Sequence, residues 1–175
     1  QMKWENPENT LVIHLTLVPY LSAAGELKTK PTQHSVKQLL QLGIQPDVLV
    51  CRTEHHLTPA IRSKLAQFCN VNLESVIESI DASTIYDVPL LMQEERLDEV
   101  VLKKLGLYTT DVAKPDSKNW KEFLYRYKNP DSTVHIGLIG KYVELKDAYK
   151  SISEALAHAG AHLKNKVEIH WIHSE

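Results

Sequence analysis

The residues with the clearest chemical potential lie between positions 28 and 33, where cationic, hydroxyl and amide side chains follow one another: Lys28, Thr29, Lys30, Thr32 and Gln33. Ammonium groups neutralise anionic oxygens, while hydroxyl and amide groups form directional hydrogen bonds. Because Lys28 and Lys30 are two residues apart, an extended backbone would point both ammonium groups to the same side. The spacing therefore predicts an anion-binding loop.

Pro31 strengthens this prediction because it fixes its own φ and restricts the residue before it. A helix is predicted to begin at Thr32 or Gln33, and the free N–H groups of its first turn would favour an anion. A stiff cationic loop at a helix N-terminus suits a ligand that carries phosphate. On the residues alone, an alternative stays open: a solvated lysine turn that also caps a helix.

The elements that must hold this loop alternate between strand and helix. Strands are predicted over residues 10–18, 47–52 and 76–80, and a helix over residues 32–42. A second helix is predicted to follow Thr58 as its N-cap, with Pro59 in its first turn. The nearly continuous apolar run in the first strand predicts burial on both faces. The residues predicted to point inward from the two helices are Val36, Leu39, Leu40, Ile61, Leu65 and Phe68. The alternation predicts an α/β fold with a parallel sheet, which binds ligands beyond the carboxyl ends of its strands.

The second half of the sequence has a different organisation. Residues 85–105 are predicted to be helical in two pieces, broken near Pro89. Polar residues 108–117 indicate a linker or surface loop, and a short helix is predicted over residues 120–127. A further strand, helix and strand are predicted over residues 134–139, 147–158 and 167–172. Three elements with one short helix do not close a core, so this part is predicted to be an incomplete second α/β domain.

Composition excludes several classes of function. The chain has 175 residues, 20 of them basic and 22 acidic, with a net charge of −2. This balance argues against a general nucleic-acid surface. No apolar run approaches the ~20 residues that a membrane span requires. The two cysteines form no C-x-x-C pair, which is typical of a reduced, cytoplasmic protein.

Other reactive side chains fit known motifs poorly. The run Gly137–Tyr142 follows a strand, but it has two residues between its glycines rather than four, and no Ser or Thr follows its lysine. Its glycines are interpreted as permitting close packing between strand and helix. Cys51 and Cys69 lack the small neighbours of a nucleophile elbow and are predicted to be core thiols. The nine histidines lack metal-ligand spacing. Neither a catalytic residue nor a metal ligand is therefore predicted in this chain.

Several segments, in the same order along the chain, resemble CTP synthase, a glutamine-dependent enzyme. They are LTLVPYLSAAGELKTKPTQHSVKQLL, GIQPDVLVCR, RSKLAQFCNV, SIDASTIYDVPLL and IGLIGKYVELKDAYKSISEALAHAG. The resemblance covers nearly the whole chain, and it implies amination of UTP to CTP at the expense of ATP. It implies a Rossmann-like sheet of the P-loop-synthetase type, with residues 1–107 as the later part of a synthetase domain. Residues 108–132 would be a helical interdomain linker, and residues 133–175 the start of a glutamine amidotransferase domain.

The resemblance also assigns roles to residues. The positions that match the UTP- and CTP-binding loop of the family are Lys28, Thr29, Lys30, Pro31, Thr32 and Gln33, with Lys64 as a further contact. Ile80, Asp81 and Ala82 match the segment that holds the adenine of ATP. In the family, the phosphate loop and the acidic Mg²⁺ ligands precede the matching region, and the glutaminase residues follow it. The resemblance thus implies an internal fragment that is inactive alone.

The expected partners are UTP, CTP and ATP, with ATP and Mg²⁺ required by the parent enzyme and a homotetramer as the parent assembly. Two alternatives remain open. One is a non-catalytic oligomerisation or nucleotide-binding module derived from the same fold. The other is a nucleotide-binding domain of a different ATP-dependent ligase, which leaves residues 15–41 unexplained.

Overall fold

The structure, a computed structural model, describes residues 1–109 and 115–174. These residues fall into two compact units, divided between residues 109 and 115. The first unit contains the elements α1 (Met2–Glu5), β1 (Ile13–Leu17), β2 (Tyr20–Leu21), β3 (Glu26–Leu27), α2 (Lys30–Gln41), β4 (Val48–Thr53), α3 (Pro59–Cys69), β5 (Val76–Ile80), α4 (Val88–Glu94) and α5 (Leu97–Lys104). The second contains α6 (Lys118–Lys128), β6 (Ser132–Gly140), α7 (Lys150–His162) and β7 (Asn165–His173).

The first unit is built on a three-stranded parallel sheet in the order β1-β4-β5, as the alternation of strand and helix predicts. Strand β4 lies in the centre and has five buried residues among its six. All three strands end at the same edge of the sheet because they run parallel. The chain is therefore an α/β protein with a parallel sheet, and the segments after the three strands meet at one edge.

The two faces of this sheet are covered unequally. One face packs on α2 and α3 around a core that includes Val36, Leu49, Leu65 and Val76. The opposite face packs on α4 and α5 through a smaller cluster of Val48, Val50, Ile77 and Val100.

The prediction that the first strand is buried on both faces is wrong. Ile13, Leu15 and Leu17 have relative exposures of 45%, 68% and 53%, and they share the face on which α5 packs over β4 and β5. The helices on this face cover β4 and β5 but leave β1 open. An apolar run indicates that a strand has two apolar faces, but it does not show whether other elements of the chain pack on both of them.

Two of the six residues predicted to point inward are exposed instead. Leu40 is 42% exposed and Phe68 is 62% exposed, whereas the other residues predicted to face the core are at least half-buried. In α3 the buried positions are Leu65, Ala66 and Cys69 rather than Phe68. The start of α3 is as predicted: Thr58 is the N-cap, its hydroxyl accepts a hydrogen bond from Ile61 N (3.3 Å), and Pro59 lies in the first turn.

The break in the helical region 85–105 lies later than predicted. Pro89 lies in the first turn of α4, where the N–H that it lacks would have no partner within the helix. The helical structure is interrupted instead between Glu94 and Leu97. At the break, Arg96 has φ +59°, a left-handed conformation that ends one helix before the next begins.

The second unit contains the predicted strand, helix and strand, with β6 and β7 pairing in parallel. Helix α6 falls within the predicted linker range and packs on α7, where the Phe123 and His158 rings lie 5.5 Å apart edge to face. At the end of β6, a Cβ on Gly140 would lie 2.3 Å from the Tyr149 hydroxyl, so this glycine leaves room for the tyrosine. The interpretation as a packing residue is confirmed for Gly140, whereas a Cβ on Gly137 would meet Ile172 of the paired strand β7 (3.2 Å) rather than a helix.

The prediction that both cysteines are core thiols is confirmed, since Cys51 and Cys69 have no exposed surface. Burial raises the pKa of the Cys51 thiol to about 12, with a smaller contribution from Cys69, and burial raises the pKa of Cys69 to about 11. Since the thiolate is the reactive form, both groups should be inert near neutral pH.

This inertness can be measured with a thiol reagent such as dithionitrobenzoate. We expect no rapid labelling of the folded chain at pH 8 and rapid labelling of both thiols in denaturant, because unfolding removes the burial that suppresses the thiolate. One equivalent of fast labelling without denaturant would show that a cysteine is exposed and would contradict the packing described here.

Within the described ranges, no helix has the length and apolar character needed to cross a membrane.

Candidate functional site

A short hairpin connects the end of β1 to the lysine-rich segment. Strands β2 and β3 pair antiparallel, and the turn between them ends at Gly25, which has φ +64°, a conformation that favours glycine. The Tyr20 ring packs edge-on against the His55 ring, with centroids 4.1 Å apart, and so ties the hairpin to the segment that follows β4. The hairpin was not predicted, because strands of two residues have no readable periodicity.

Two lysines from separate elements act on one carboxylate of this hairpin. The Lys28 ammonium forms an ion pair with Glu26, and its backbone N–H donates to the Pro19 carbonyl (2.9 Å), which anchors it beside the end of β1. Lys28 and, more weakly, Lys64 on α3 lower the pKa of the Glu26 carboxyl group. Lys28 thus contacts this carboxylate directly, whereas Lys64, 36 positions later in the sequence, acts on it only through a weaker electrostatic effect.

The neighbouring polar side chains brace the start of α2. Thr32 has no exposed surface; its hydroxyl donates to the Leu17 carbonyl (2.8 Å) and accepts from the Thr16 hydroxyl (3.2 Å). The Gln33 amide donates to the Thr29 hydroxyl (3.1 Å), and Thr29 is also buried. These groups fix the helix N-terminus against the end of β1, so the side chain of Thr32 positions the loop from inside.

The predicted geometry of Lys28 and Lys30 is wrong in one respect. Helix α2 begins at Lys30, two residues before the predicted start, and Thr29 already has a helical backbone with φ −87° and ψ −17°. The backbone between the two lysines is therefore not extended, and spacing does not align their ammonium groups. Pro31 lies in the first turn of α2, where a proline is favoured, and the Lys30 side chain is exposed.

The other predicted contact segment lies at the end of β5, at the same edge of the sheet. The Asp81 N–H donates to the Thr53 carbonyl (2.9 Å), continuing the ladder with β4. Beside this segment lies an open cavity of about 360 Å³. Its lining residues are Arg52, Ser79, Ile80, Asp81, Ala82, Thr84, Ile85 and Val88. All three residues predicted for this segment therefore border one cavity.

Arg52 is a candidate binding residue that the sequence did not single out. It is near the end of β4, its Nε donates to the Asp81 carboxylate (3.1 Å), and its side chain is 66% exposed. An exposed ion pair of this kind contributes little to stability, so the guanidinium can rearrange toward a ligand. The available signal was a single arginine at the end of an otherwise apolar strand.

An ion-pair network braces the outer side of β5. The Arg62 guanidinium makes two hydrogen bonds to the Glu95 carboxylate (2.7 and 2.8 Å) and a weaker one to Glu78 (3.4 Å). Arg62 also donates to the Val76 carbonyl (3.0 Å), and the Glu78 N–H donates to Glu95 (2.8 Å). The Glu78 carboxylate is nearly buried and accepts hydrogen bonds from the Leu57 N–H (2.5 Å) and Arg62.

The charge state of Glu95 follows from these contacts. Burial opposes ionisation of its carboxyl group, but the hydrogen bonds from Arg62 and from the Glu78 N–H outweigh that cost, and the pKa of Glu95 is lowered. The network therefore holds two carboxylates and one guanidinium at a strand edge.

Among residues 1–109 and 115–174, no group of three or more His, Cys, Asp or Glu side chains is arranged to hold a metal ion. The absence of metal ligands and catalytic residues from this chain remains a prediction.

Comparison with known proteins identifies the family. A family model described as "CTP synthase N-terminus" matches residues 1–107. Among curated proteins, the chain is 66% identical to a CTP synthase of Cytophaga hutchinsonii and 64% identical to one of Christiangramia forsetii, each over 176 aligned residues. It is 57% identical to a CTP synthase of Bacteroides fragilis over 175 residues.

Each of these alignments covers 100% of this chain and 32% of the relative, so the chain spans about a third of the length of the curated relatives it matches. The family model covers the whole parallel-sheet unit, including both segments at its carboxyl edge. The chain belongs to the CTP synthase family.

Proposed function

We propose that this chain is the part of a CTP synthase that binds the phosphates of UTP and the adenine of ATP. The whole enzyme would aminate UTP to CTP, with ATP as phosphoryl donor and ammonia released from glutamine. The observation that supports this most directly is the position of Lys28, whose N–H is bonded to the Pro19 carbonyl just after β1, at the carboxyl edge of a parallel sheet. An edge of this kind is where such sheets bind nucleotides.

In this proposal the lysines neutralise the triphosphate of UTP, and of CTP as a product or inhibitor. Lys28 follows β3 and Lys64 lies on α3, so the two proposed cations come from different parts of the fold. The exposed Lys30 side chain and the first turn of α2 add positive charge. The residues proposed for this site are Lys28, Thr29, Lys30, Pro31, Thr32, Gln33 and Lys64, with Thr32 acting through the backbone it positions.

The adenine of ATP is proposed to bind in the cavity beside Ile80, Asp81 and Ala82, with the Arg52 guanidinium over or beside the base. Strands β1 and β5 are separated by β4 alone, which places their ends about 10 Å apart. At this separation the two nucleotides can extend toward each other across one edge. Positioning and charge stabilisation are the main requirements of phosphoryl transfer.

In the proposed reaction, the terminal phosphoryl group of ATP moves to the 4-oxygen of UTP, and ammonia then displaces that phosphate to give CTP. The chain's described residues are suited to the binding and orientation of nucleotides, and they include no group of three or more His, Cys, Asp or Glu side chains that could hold a metal ion. No step here is therefore assigned to the metal, which we propose as a requirement of the whole enzyme.

We further propose that residues 1–107 are the later part of the synthetase domain, residues 108–132 the linker and residues 133–175 the start of the amidotransferase domain. The chain would then have no synthase or glutaminase turnover of its own. A tetrameric parent enzyme and a cytoplasmic location are part of the same proposal.

Calorimetric titration of the chain with UTP, CTP and uridine tests this function. We expect UTP and CTP to bind competitively at one site and uridine to bind far more weakly, because the lysines act on phosphate. A coupled assay should detect no CTP formation by this chain. If neither nucleotide binds nor raises the melting temperature while the mass by light scattering rises with concentration, the oligomerisation module is favoured instead.

A further inference from the structure

The lysine pair of the proposed site already has an anionic occupant. The Glu26 carboxylate forms an ion pair with the Lys28 ammonium, and the two side chains retain 58% and 38% exposure. An isolated exposed pair of this kind is ordinarily of small consequence. Here, however, a second cation from a separate helix, Lys64, also acts on the carboxylate.

The position of Glu26 is set by the fold rather than by a flexible chain. It lies on β3, directly after Gly25, whose φ of +64° closes the hairpin. Two residues later, the Lys28 N–H is bonded to the Pro19 carbonyl. The hairpin pairing and this hydrogen bond hold Glu26 beside the end of β1.

We propose that Glu26 is an affinity-determining residue of the nucleotide site, whose carboxylate neutralises Lys28 until the phosphates of a nucleoside triphosphate displace it. The inference rests on the proposed function, since it takes UTP as the displacing ligand. The carboxylate keeps the Lys28 ammonium group neutralised and oriented in the free protein. It also opposes every anion that enters, so it limits affinity.

Two consequences distinguish displacement from a merely structural ion pair. Glu26→Gln removes the competing charge and keeps the shape of the side chain, so UTP affinity should rise about two- to five-fold at low salt. The dependence on salt should also change. In the native protein, salt weakens the lysine–carboxylate and lysine–phosphate attractions together, and the two effects partly cancel. In the variant only the lysine–phosphate attraction remains for salt to weaken, so UTP affinity should fall more steeply as the salt concentration rises.

The test is calorimetric titration of the full chain with UTP at several salt concentrations, comparing native protein with Glu26→Gln, Glu8→Gln and Lys28→Ala. Glu8 is a matched control because it is exposed and precedes β1, at the opposite end of the sheet. We expect tighter binding and a steeper salt dependence for Glu26→Gln alone. Equal melting temperatures would establish that each variant is folded.

The possible negative results distinguish failure of this inference from failure of the proposed function. If Lys28→Ala weakens UTP binding but Glu26→Gln leaves it unchanged or weakens it, Glu26 is not a competitor and this inference is overturned while the proposed function stands. If Glu8→Gln reproduces the effects of Glu26→Gln, general charge explains them and the inference is likewise overturned. If the native chain and every variant fail to bind UTP, the proposed function fails, and the inference with it.

Discussion

Replacing Lys28 by alanine is expected to weaken UTP and CTP binding by about 10- to 100-fold, because a hydrogen bond to a charged group contributes about 1.5–3 kcal/mol. Lys28 is anchored by the hydrogen bond from its N–H to the Pro19 carbonyl, so its ammonium group is held near the end of β1 before ligand arrives. Loss of this cation also leaves the Glu26 carboxylate without its main partner, which adds repulsion toward phosphate. The effect should be largest at low ionic strength, where charges are least screened.

Calorimetry on the full chain measures this change, and Lys37→Ala provides a matched control. Lys37 is an exposed lysine of α2, and it projects from the middle of the helix rather than from its first turn. Its removal should alter UTP affinity by less than about two-fold, since general surface charge is largely screened. Unchanged affinity in Lys28→Ala would exclude this loop as the phosphate site.

The second large effect is expected on stability. Arg62→Met should lower the free energy of unfolding by about 2–4 kcal/mol, measured by urea denaturation. The substitution leaves the carboxylates of Glu78 and Glu95 without their guanidinium partner, and the Glu78 side chain is only 6% exposed. The estimate lies near the lower end for a broken buried pair because Arg62 and Glu95 remain about a quarter exposed, at 25% and 24%.

The same network predicts a pH dependence. The pKa of Glu95 is lower in the folded chain than its ordinary value, so its stabilising contribution is present above the unfolded pKa and is lost as pH falls through the folded pKa. The stability difference between the native chain and Arg62→Met should therefore narrow in acid. Lys37→Met, which removes an exposed lysine, should have the same free energy of unfolding as the native chain at every pH. If the difference in free energy of unfolding between the native chain and Arg62→Met did not change with pH, ionisation of Glu95 would not stabilise the fold.

Much of the fold was predictable because local signals agreed with the final packing. The N-cap at Thr58, the proline at position 59 and the strand over residues 76–80 each appear where the sequence predicts them. Helix α2 also ends as expected, before Gly43 with φ +77°. These features depend on neighbours in sequence, and so the sequence alone reveals them.

The incorrect predictions share a different cause. The exposure of Leu15 on β1 depends on which helices cover that face, and the break before Leu97 occurs where Glu95 bonds to Arg62 and to the Glu78 N–H. Both are set by tertiary contacts that no local pattern records. The same holds for Glu26, whose position beside Lys28 depends on the hairpin between β2 and β3. A resemblance to a family supplied the site residues, but not the hairpin that carries this carboxylate.

The hydrogen bonds that Arg62 and Glu95 make with β5 limit where a further strand can pair with the sheet. Because Asp81 N–H points toward β4, the alternation of a parallel ladder turns the peptide groups of Val76 and Glu78 away from it. Those outward groups are already bonded to Arg62 and Glu95. Side chains thus take the place of a neighbouring strand at Val76 and Glu78, so a further strand pairing on this flank would have to displace Arg62 and Glu95.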